Sequence, residues 1–235
     1  MLQVTFVRRE ETAKDIFTFW FKPERPVQYI AGQFTELYLP HEGVDSRGPR
    51  RWFTLSSSPT DDLVSITTRL VPADGSSFKR ELFQLSPGAQ LGLADPMGDF
   101  VLPKSTAIPL VFVAAGLGIT PVHSMVQWLH DTHEQRRVHL IYAVRHLEEA
   151  AWLELFRGYP LHLTLVVKQP PAGYDGETGS LTTERILQLA GDDGESYIYL
   201  SGPEPMTELF YKEMTTRGIA NERLITDYFP GYTQF

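Results

Sequence analysis

The sequence predicts two domains in series: an antiparallel β-barrel with one helix, followed by an open α/β domain with a mostly parallel sheet. Three observations predict this. Up to about residue 104, short β-branched or aromatic segments are broken by Pro, Gly and Asp clusters, the pattern of a small barrel. At Pro109-Leu-Val-Phe-Val-Ala114 the interrupted pattern gives way to a continuous apolar run, as a strand buried on both faces requires. Beyond it, strand-like and helix-like stretches alternate, which means parallel strands joined by crossover helices. The boundary is placed at 104/105 of the 235 residues, giving domains 1–104 and 105–235 of ordinary size.

In order, Leu2–Arg8, Ile16–Phe21, Gln33–Leu39, Arg51–Ser56 and Leu63–Leu70 read as strands. Ser76–Leu82 reads as a helix, with hydroxyls at its N-cap, Phe78 and Leu82 four apart, and Pro87-Gly88 beyond its end. In the second half the strands are Pro109–Ala114, Val138–Val144, Leu161–Val167, Tyr197–Leu200 and Leu224–Phe229. Helices are expected from Thr120 to His130 and near Glu148–Phe156, Thr182–Leu189 and Pro205–Thr216.

Apolar residues make up 42% of the chain and charged residues 21%, enough for real cores. The net charge of -8 argues against nucleic acid as a partner, which needs a basic footprint. The absence of cysteine excludes thiolate-held iron–sulfur clusters, cysteine-type zinc and disulfides, and fits a reducing compartment. MLQVTFVRREET lacks the apolar core of a signal peptide, and no stretch reaches the roughly twenty apolar residues of a membrane span. The expectation is a cytoplasmic chain with no membrane span. His130 and His133 are expected three apart on one helix, without a third ligand at metal spacing; no metal site is expected. Asp61-Asp62, Glu148-Glu149 and Asp192-Asp193 read as loop and helix-start acids. No serine stands in a nucleophile-elbow context.

Three segments carry chemistry. Arg51-Trp-Phe-Thr-Leu-Ser-Ser57 places a cation, an aromatic ring and hydroxyls along one strand and its end. Alternation sends Arg51, Phe53 and Leu55 to one face and Trp52, Thr54 and Ser56 to the other. An ordinary strand with a Ser-rich turn would account for the same residues. Ala114-Ala-Gly-Leu-Gly-Ile-Thr-Pro121 ends a buried strand in glycines and opens a helix, as a backbone must to approach a pyrophosphate. It is not a Gly-x-Gly-x-x-Gly fingerprint. Leu200-Ser-Gly-Pro-Glu-Pro-Met206 repeats the strand-to-turn-to-helix form about eighty residues later.

Together, and in this order, the segments resemble the ferredoxin–NADP⁺ reductase-like flavoenzymes over about residues 3–229. The family's Arg-x-Tyr-Ser-x-x-Ser appears here with Phe53 for tyrosine and Thr54 for serine. The resemblance implies that Arg51 neutralises a flavin phosphate, Phe53 lies against the flavin and Thr54 hydrogen-bonds its N5, with Ser57 closing the motif. Thr67-Thr68-Arg69 and Gly75-Ser76-Ser77 resemble the second flavin segment. There strand backbone faces the ribityl chain and a helix N-terminus receives the pyrophosphate.

Gly116, Gly118, Thr120 and Pro121 correspond to the nicotinamide pyrophosphate loop, with Ala115 replacing its first glycine; a methyl there is accommodated if φ is negative. Ser201, Gly202, Pro203 and Met206 match Cys-Gly-Pro-x-x-Met, with Ser201 in the cysteine position beside the nicotinamide. Asp227-Tyr-Phe229 resembles the acidic-x-aromatic ending, Phe229 capping the flavin and Asp227 organising the site. The implied catalytic set is Thr54, Ser201, Asp227 and Phe229.

The implied activity is hydride transfer from NAD(P)H to flavin, with electrons passed to a separate acceptor protein or small molecule. FAD is favoured over FMN, because Gly75–Ser77 suits a pyrophosphate and Pro230–Phe235 could cover an adenine. Arg145, at the end of the second α/β strand, gives a slight lean to NADPH over NADH, with His146 and Lys168 as further candidates. The rivals are a free-flavin or ferric reductase, and a non-catalytic flavin subunit like that of dihydroorotate dehydrogenases, which zero cysteines disfavour.

Overall fold

A computed structural model of the chain describes residues 1–70, 75–191 and 194–229. The chain opens with β1 (Leu2–Ala13) and β2 (Ile16–Pro23), an antiparallel hairpin. Its turn uses Asp15 at φ 58°, a left-handed conformation that Asp tolerates better than most residues. Next come β3 (Phe34–Tyr38), β4 (Arg50–Thr54), β5 (Val64–Arg69), helix α1 (Ser77–Gln84) and β6 (Gln90–Leu93). The sheet order is β4-β3-β6-β1-β2-β5, and the edge strands meet through a Leu55–Ile66 bridge. That contact closes the sheet into the expected barrel.

The barrel core holds Phe6, Phe19, Phe21, Leu37, Leu55 and Ile66, plugged at one end by Phe78 and Leu82 of α1. Each such side chain contributes roughly 1.5–3 kcal/mol through burial. The four-residue β6 pairs with β1 and β3. The sequence reading missed it because Gln-Leu-Gly-Leu is short and starts one residue beyond the turn Pro87-Gly88-Ala89.

The second sheet is built from β7 (Leu110–Ala115), β8 (Val138–Val144), β9 (His162–Val167), β10 (Glu177–Thr178), β11 (Tyr197–Pro203) and β12 (Leu224–Phe229). Helices α2 (Ile119–Asp131), α3 (Leu153–Gly158), α4 (Thr183–Ala190) and α5 (Glu204–Thr216) intervene. The order is β10-β9-β8-β7-β11-β12, and every pairing is parallel. All six residues of the central β7 are buried, which explains its unbroken apolar run. The two-residue β10 had no signal of its own.

Two helix expectations are corrected. The stretch near Glu148–Phe156 is not one helix: Leu147–Glu149 forms a 3₁₀ turn, Trp152 turns left-handed at φ 56°, and α3 starts only at Leu153. Trp152 packs against the buried His123 ring, centres 4.0 Å apart and planes tilted by 30°, a tertiary contact that competes with the helical pattern. α2 ends at Asp131 and His133 lies beyond it at φ 57°, so His130 and His133 do not share a helix.

α2 also grips the first sheet. His123 Nδ1 donates to the Ser56 carbonyl (2.6 Å), Ser124 Oγ to the Ser57 carbonyl (2.6 Å) and Thr60 Oγ1 to Asp131 (2.5 Å). Burial pushes His123 down to about 4, so the ring is a neutral donor at physiological pH. Three polar ties from one helix thus hold the segment that follows β4.

Candidate functional site

A cavity of about 890 Å³ opens at the C-terminal ends of β7, β8 and β11, the edge at which open α/β sheets bind ligands. Its floor is made by two turns. Ala115 has φ −120° and ψ 125°, so its extended backbone accommodates the methyl that replaces glycine. Gly116 has φ +52° with no atom within 4 Å of where a Cβ would lie; its backbone stands bare to the cavity. A Cβ on Gly118 would fall 2.1 Å from the Ser201 carbonyl oxygen. The two glycine turns therefore touch backbone to backbone, and only glycine permits it.

From the β11 turn, Gly202, Pro203 and Met206 line the cavity. Phe229, in register with Pro203, closes one side. Arg145, the residue after β8, lines it as well. Thus seven expected residues, Gly116, Gly118, Arg145, Gly202, Pro203, Met206 and Phe229, converge on one space. Thr120 and Pro121 do not line it: both are buried in the first turn of α2, where Thr120 Oγ1 donates to the Leu117 carbonyl at 2.9 Å. They shape the turn.

Ser201 sits between Ala114 and Asp227 in the sheet register. It is fully buried, and its hydroxyl has no hydrogen-bond partner among the described residues. Such an orphan costs about 1–3 kcal/mol. Burial pushes Asp227 up to about 7, with the Tyr228 N–H opposing the shift. A carboxyl that stays protonated near neutrality can donate as well as accept.

Lys168, a further candidate beside Arg145, also lines the cavity, as does Arg69, which the sequence reading placed in the flavin segment; Glu149, Gln169 and the Gly179–Leu181 loop line it too and were missed. Glu149 had been set aside as a helix-start acid. The distance between residues 69 and 149 in sequence hid their meeting.

The other candidate region lies at the start of α1. Ser76 caps the helix, accepting from Lys79 N at 3.4 Å. The Arg51 guanidinium reaches Ser76 Oγ at 3.5 Å and lies 5.6 Å from the Phe78 ring centre. It also donates to the carbonyls of Arg47, Gly48 and Arg50 (3.1, 2.8 and 2.5 Å) and to Asp45 (2.9 Å), leaving Nε buried without a partner among the described residues.

Asp45, not foreseen, accepts from Arg47, from Arg51 and from the Ser77 amide at 3.0 Å. The Arg47 side chain, then the Ser77 and Arg47 amides and Arg51, hold its carboxyl well below the usual range. A carboxylate already seated among a guanidinium, a cap and a helix amide shows that this corner fits an oxyanion. Its sequence signal was the Asp45-Ser-Arg-Gly48 turn.

The remaining flavin candidates divide. Phe53 is buried against Phe78, ring centres 5.8 Å apart. Thr54 is buried, with no side-chain hydrogen bond among the described residues. Ser57 is consumed internally by Tyr29 and the Ser65 amide, both at 2.9 Å. Thr67 bonds Thr18 and Ser56, also at 2.9 Å each, while Thr68 is buried beside it. The Ser77 hydroxyl takes the Asp45 amide and His41 at 3.0 Å each, and the Gly75 carbonyl accepts from Arg80. Ser57, Thr67 and Ser77 therefore shape the region through protein contacts. Pro230–Phe235 and Asp192-Asp193 lie outside the described residues. No cluster of potential metal ligands occurs among the described residues, and no helix among them is long and apolar enough to cross a membrane.

Comparison with known proteins agrees with this architecture. Residues 112–212 match the oxidoreductase NAD-binding domain family. The chain is 26% identical to the reductase component of propane 2-monooxygenase from Rhodococcus jostii, over 94% of this chain and 62% of that protein. It is 28% identical to the electron transfer component XylA of the Pseudomonas putida xylene/toluene monooxygenase, over 94% of this chain and 63% of that one. The chain thus spans less than two thirds of these curated relatives.

Among solved structures, the Amycolatopsis cytochrome P450 reductase GcoB superposes with a TM-score of 0.82 at 24% identity, over 97% of this chain and 69% of that one. A Neisseria gonorrhoeae ferredoxin NADP⁺ reductase with bound FAD and NADP gives 0.79 at 18% identity, over 96% and 97%. The chain thus carries an oxidoreductase NAD-binding domain over residues 112–212 and shares its two-sheet fold with these reductases.

Proposed function

We propose that the chain is an FAD-dependent NAD(P)H oxidoreductase that passes electrons to a separate protein or small molecule. Residues 1–104 serve as the flavin domain and 105–235 as the coenzyme domain. The observation that carries this reading is the meeting of two glycine turns, Gly116–Gly118 and Ser201–Gly202, beneath a cavity walled by Phe229. Bare backbone and the start of α2 suit a dinucleotide pyrophosphate. The relatives described as monooxygenase reductase or electron transfer components support the direction of electron flow.

Bound FAD would supply a ring that accepts hydride from the coenzyme and releases electrons singly or in pairs. Arg51, Ser76 and the start of α1 would hold its phosphates, with Asp45 giving way, and Gly75 would let the chain pass close. Phe53 and Thr68 would bound the ring and its side chain. The Thr54 hydroxyl would donate to the ring edge. Ser201 would flank the nicotinamide, and protonated Asp227 would orient that end of the site. Phe229 would exclude water until coenzyme docks. Most of the catalysis is positioning.

Arg145 is exposed and makes no ion pair among the described residues, which favours NADPH. A chain without cysteine suits the cytoplasm. The test is the absorption spectrum of the purified protein, followed by anaerobic titration with NADPH and NADH. One FAD per chain, bleached by coenzyme, is expected. A folded protein that does not take up FAD overturns the proposal.

A further inference from the structure

We propose that Arg69 and Glu149 together set which nicotinamide coenzyme the chain accepts, Arg69 acting from the opposite domain. The inference rests on the oxidoreductase reading above. Arg69 ends β5 of the barrel, and Glu149 lies five residues beyond the end of β8 in the other sheet. The guanidinium meets the carboxylate at 2.8 Å, with side chains 32% and 15% exposed. Both line the cavity that also holds Gly116, Gly118 and Arg145. The seam is braced beside them by a Lys14–Glu148 ion pair.

The position of Glu149 matters. In dinucleotide folds, an acid after the second strand takes the adenine ribose diol, and a cation there takes a 2′-phosphate instead. Glu149 is the one carboxylate among the described residues that line this cavity. Unpaired, it would accept from both ribose hydroxyls and repel a phosphate of nearly two negative charges. Paired with Arg69, its charge is neutralised and its oxygens are turned toward the guanidinium. Arg145 and Lys168, which line the same cavity, then set the local field. A partly buried pair is screened by salt less than a surface pair, so the effect holds at physiological ionic strength.

The test uses FAD-loaded protein and measures dissociation constants for NADP⁺ and NAD⁺ by flavin difference absorbance. The variants are Arg69→Ala, Glu149→Gln, the double variant and Arg69→Lys. The parent is expected to prefer NADP⁺. Arg69→Ala should lower the NADP⁺/NAD⁺ preference about tenfold or more, chiefly by weakening NADP⁺. Glu149→Gln should keep the preference, and adding it to Arg69→Ala should restore it. Arg69→Lys should retain most of it.

Equal weakening of both coenzymes by Arg69→Ala, without rescue in the double variant, would place Arg69 on the shared pyrophosphate and overturn the inference. An unchanged ratio in every variant overturns it too, as does a parent that prefers NAD⁺. A purely structural ion pair would lower melting temperature without moving the ratio. A parent that takes up FAD and binds neither coenzyme refutes the oxidoreductase reading itself.

Discussion

At the Arg51 corner, the groups proposed to bind an anion are side chains that have already found one another; at the cavity beside β7 they are backbone left bare by glycine. Arg51 is held by three carbonyls, a serine and Asp45, so a phosphate entering there must compete with a resident carboxylate. Gly116 faces open space and Gly118 lies against Ser201, so a coenzyme bound there as proposed needs no displacement at the cavity floor. The first site stores its charge in an internal network. The second keeps a shape that any side chain would destroy. Substitutions should therefore act in different ways at the two sites.

The largest effect is expected from Gly118→Ala. A methyl 2.1 Å from the Ser201 carbonyl oxygen forces the two turns apart, at about 1–3 kcal/mol or more. Coenzyme affinity should fall about a hundredfold while FAD content stays at the parent level; equal loss of both would erase the distinction between the sites. Gly116→Ala should be milder, about 1–2 kcal/mol of left-handed strain, because its Cβ meets nothing.

Arg51→Ala attacks the other material. Loss of a charge-assisted phosphate contact should weaken FAD retention by on the order of 1.5–3 kcal/mol. Equilibrium dialysis of FAD checks this, and unchanged affinity would remove Arg51 from the flavin site.

Asp227 sharpens the comparison through pH. Its carboxyl is pushed up to about 7 in the folded chain by burial, against about 3.9 when unfolded. The unfolded chain therefore releases this proton first. The contribution to stability is complete below about pH 4 and is lost as pH rises through about 7. Asp227→Asn should flatten that decline and add roughly 1–3 kcal/mol at about pH 8, less than the full shift because the group is only partly shielded. Urea unfolding across this range decides it, and parallel curves would place the carboxylate in solvent.

The smallest effect is expected from Thr54→Val, which is nearly isosteric. Loss of one hydrogen bond, about 0.5–1.5 kcal/mol, should slow flavin reduction roughly twofold to tenfold and leave FAD binding intact. A rate equal to the parent's would turn Thr54 away from the ring.

The same contrast explains what could be read from sequence. Glycine turns at the ends of apolar strands are local, so Gly116, Gly118 and Gly202 were legible, as was the acceptability of Ala115. The strands Val138–Val144 and Leu224–Phe229 emerged with the expected bounds, because their apolar patterns end at clear breaks. Asp45 and the Arg69–Glu149 pair were not legible. Their roles depend on side chains brought together across a loop or across 80 residues, which no local pattern encodes. Trp152 interrupts an expected helix, and its ring packs against the distant His123.

The most direct measurement is anaerobic stopped-flow reduction of the FAD-loaded protein by NADPH and NADH, each with hydrogen or deuterium at C4. The account predicts that the flavin colour fades in a coenzyme-dependent phase that deuterium slows, and that Gly118→Ala suppresses this phase without releasing FAD. A folded, FAD-loaded parent that neither coenzyme bleaches would contradict it.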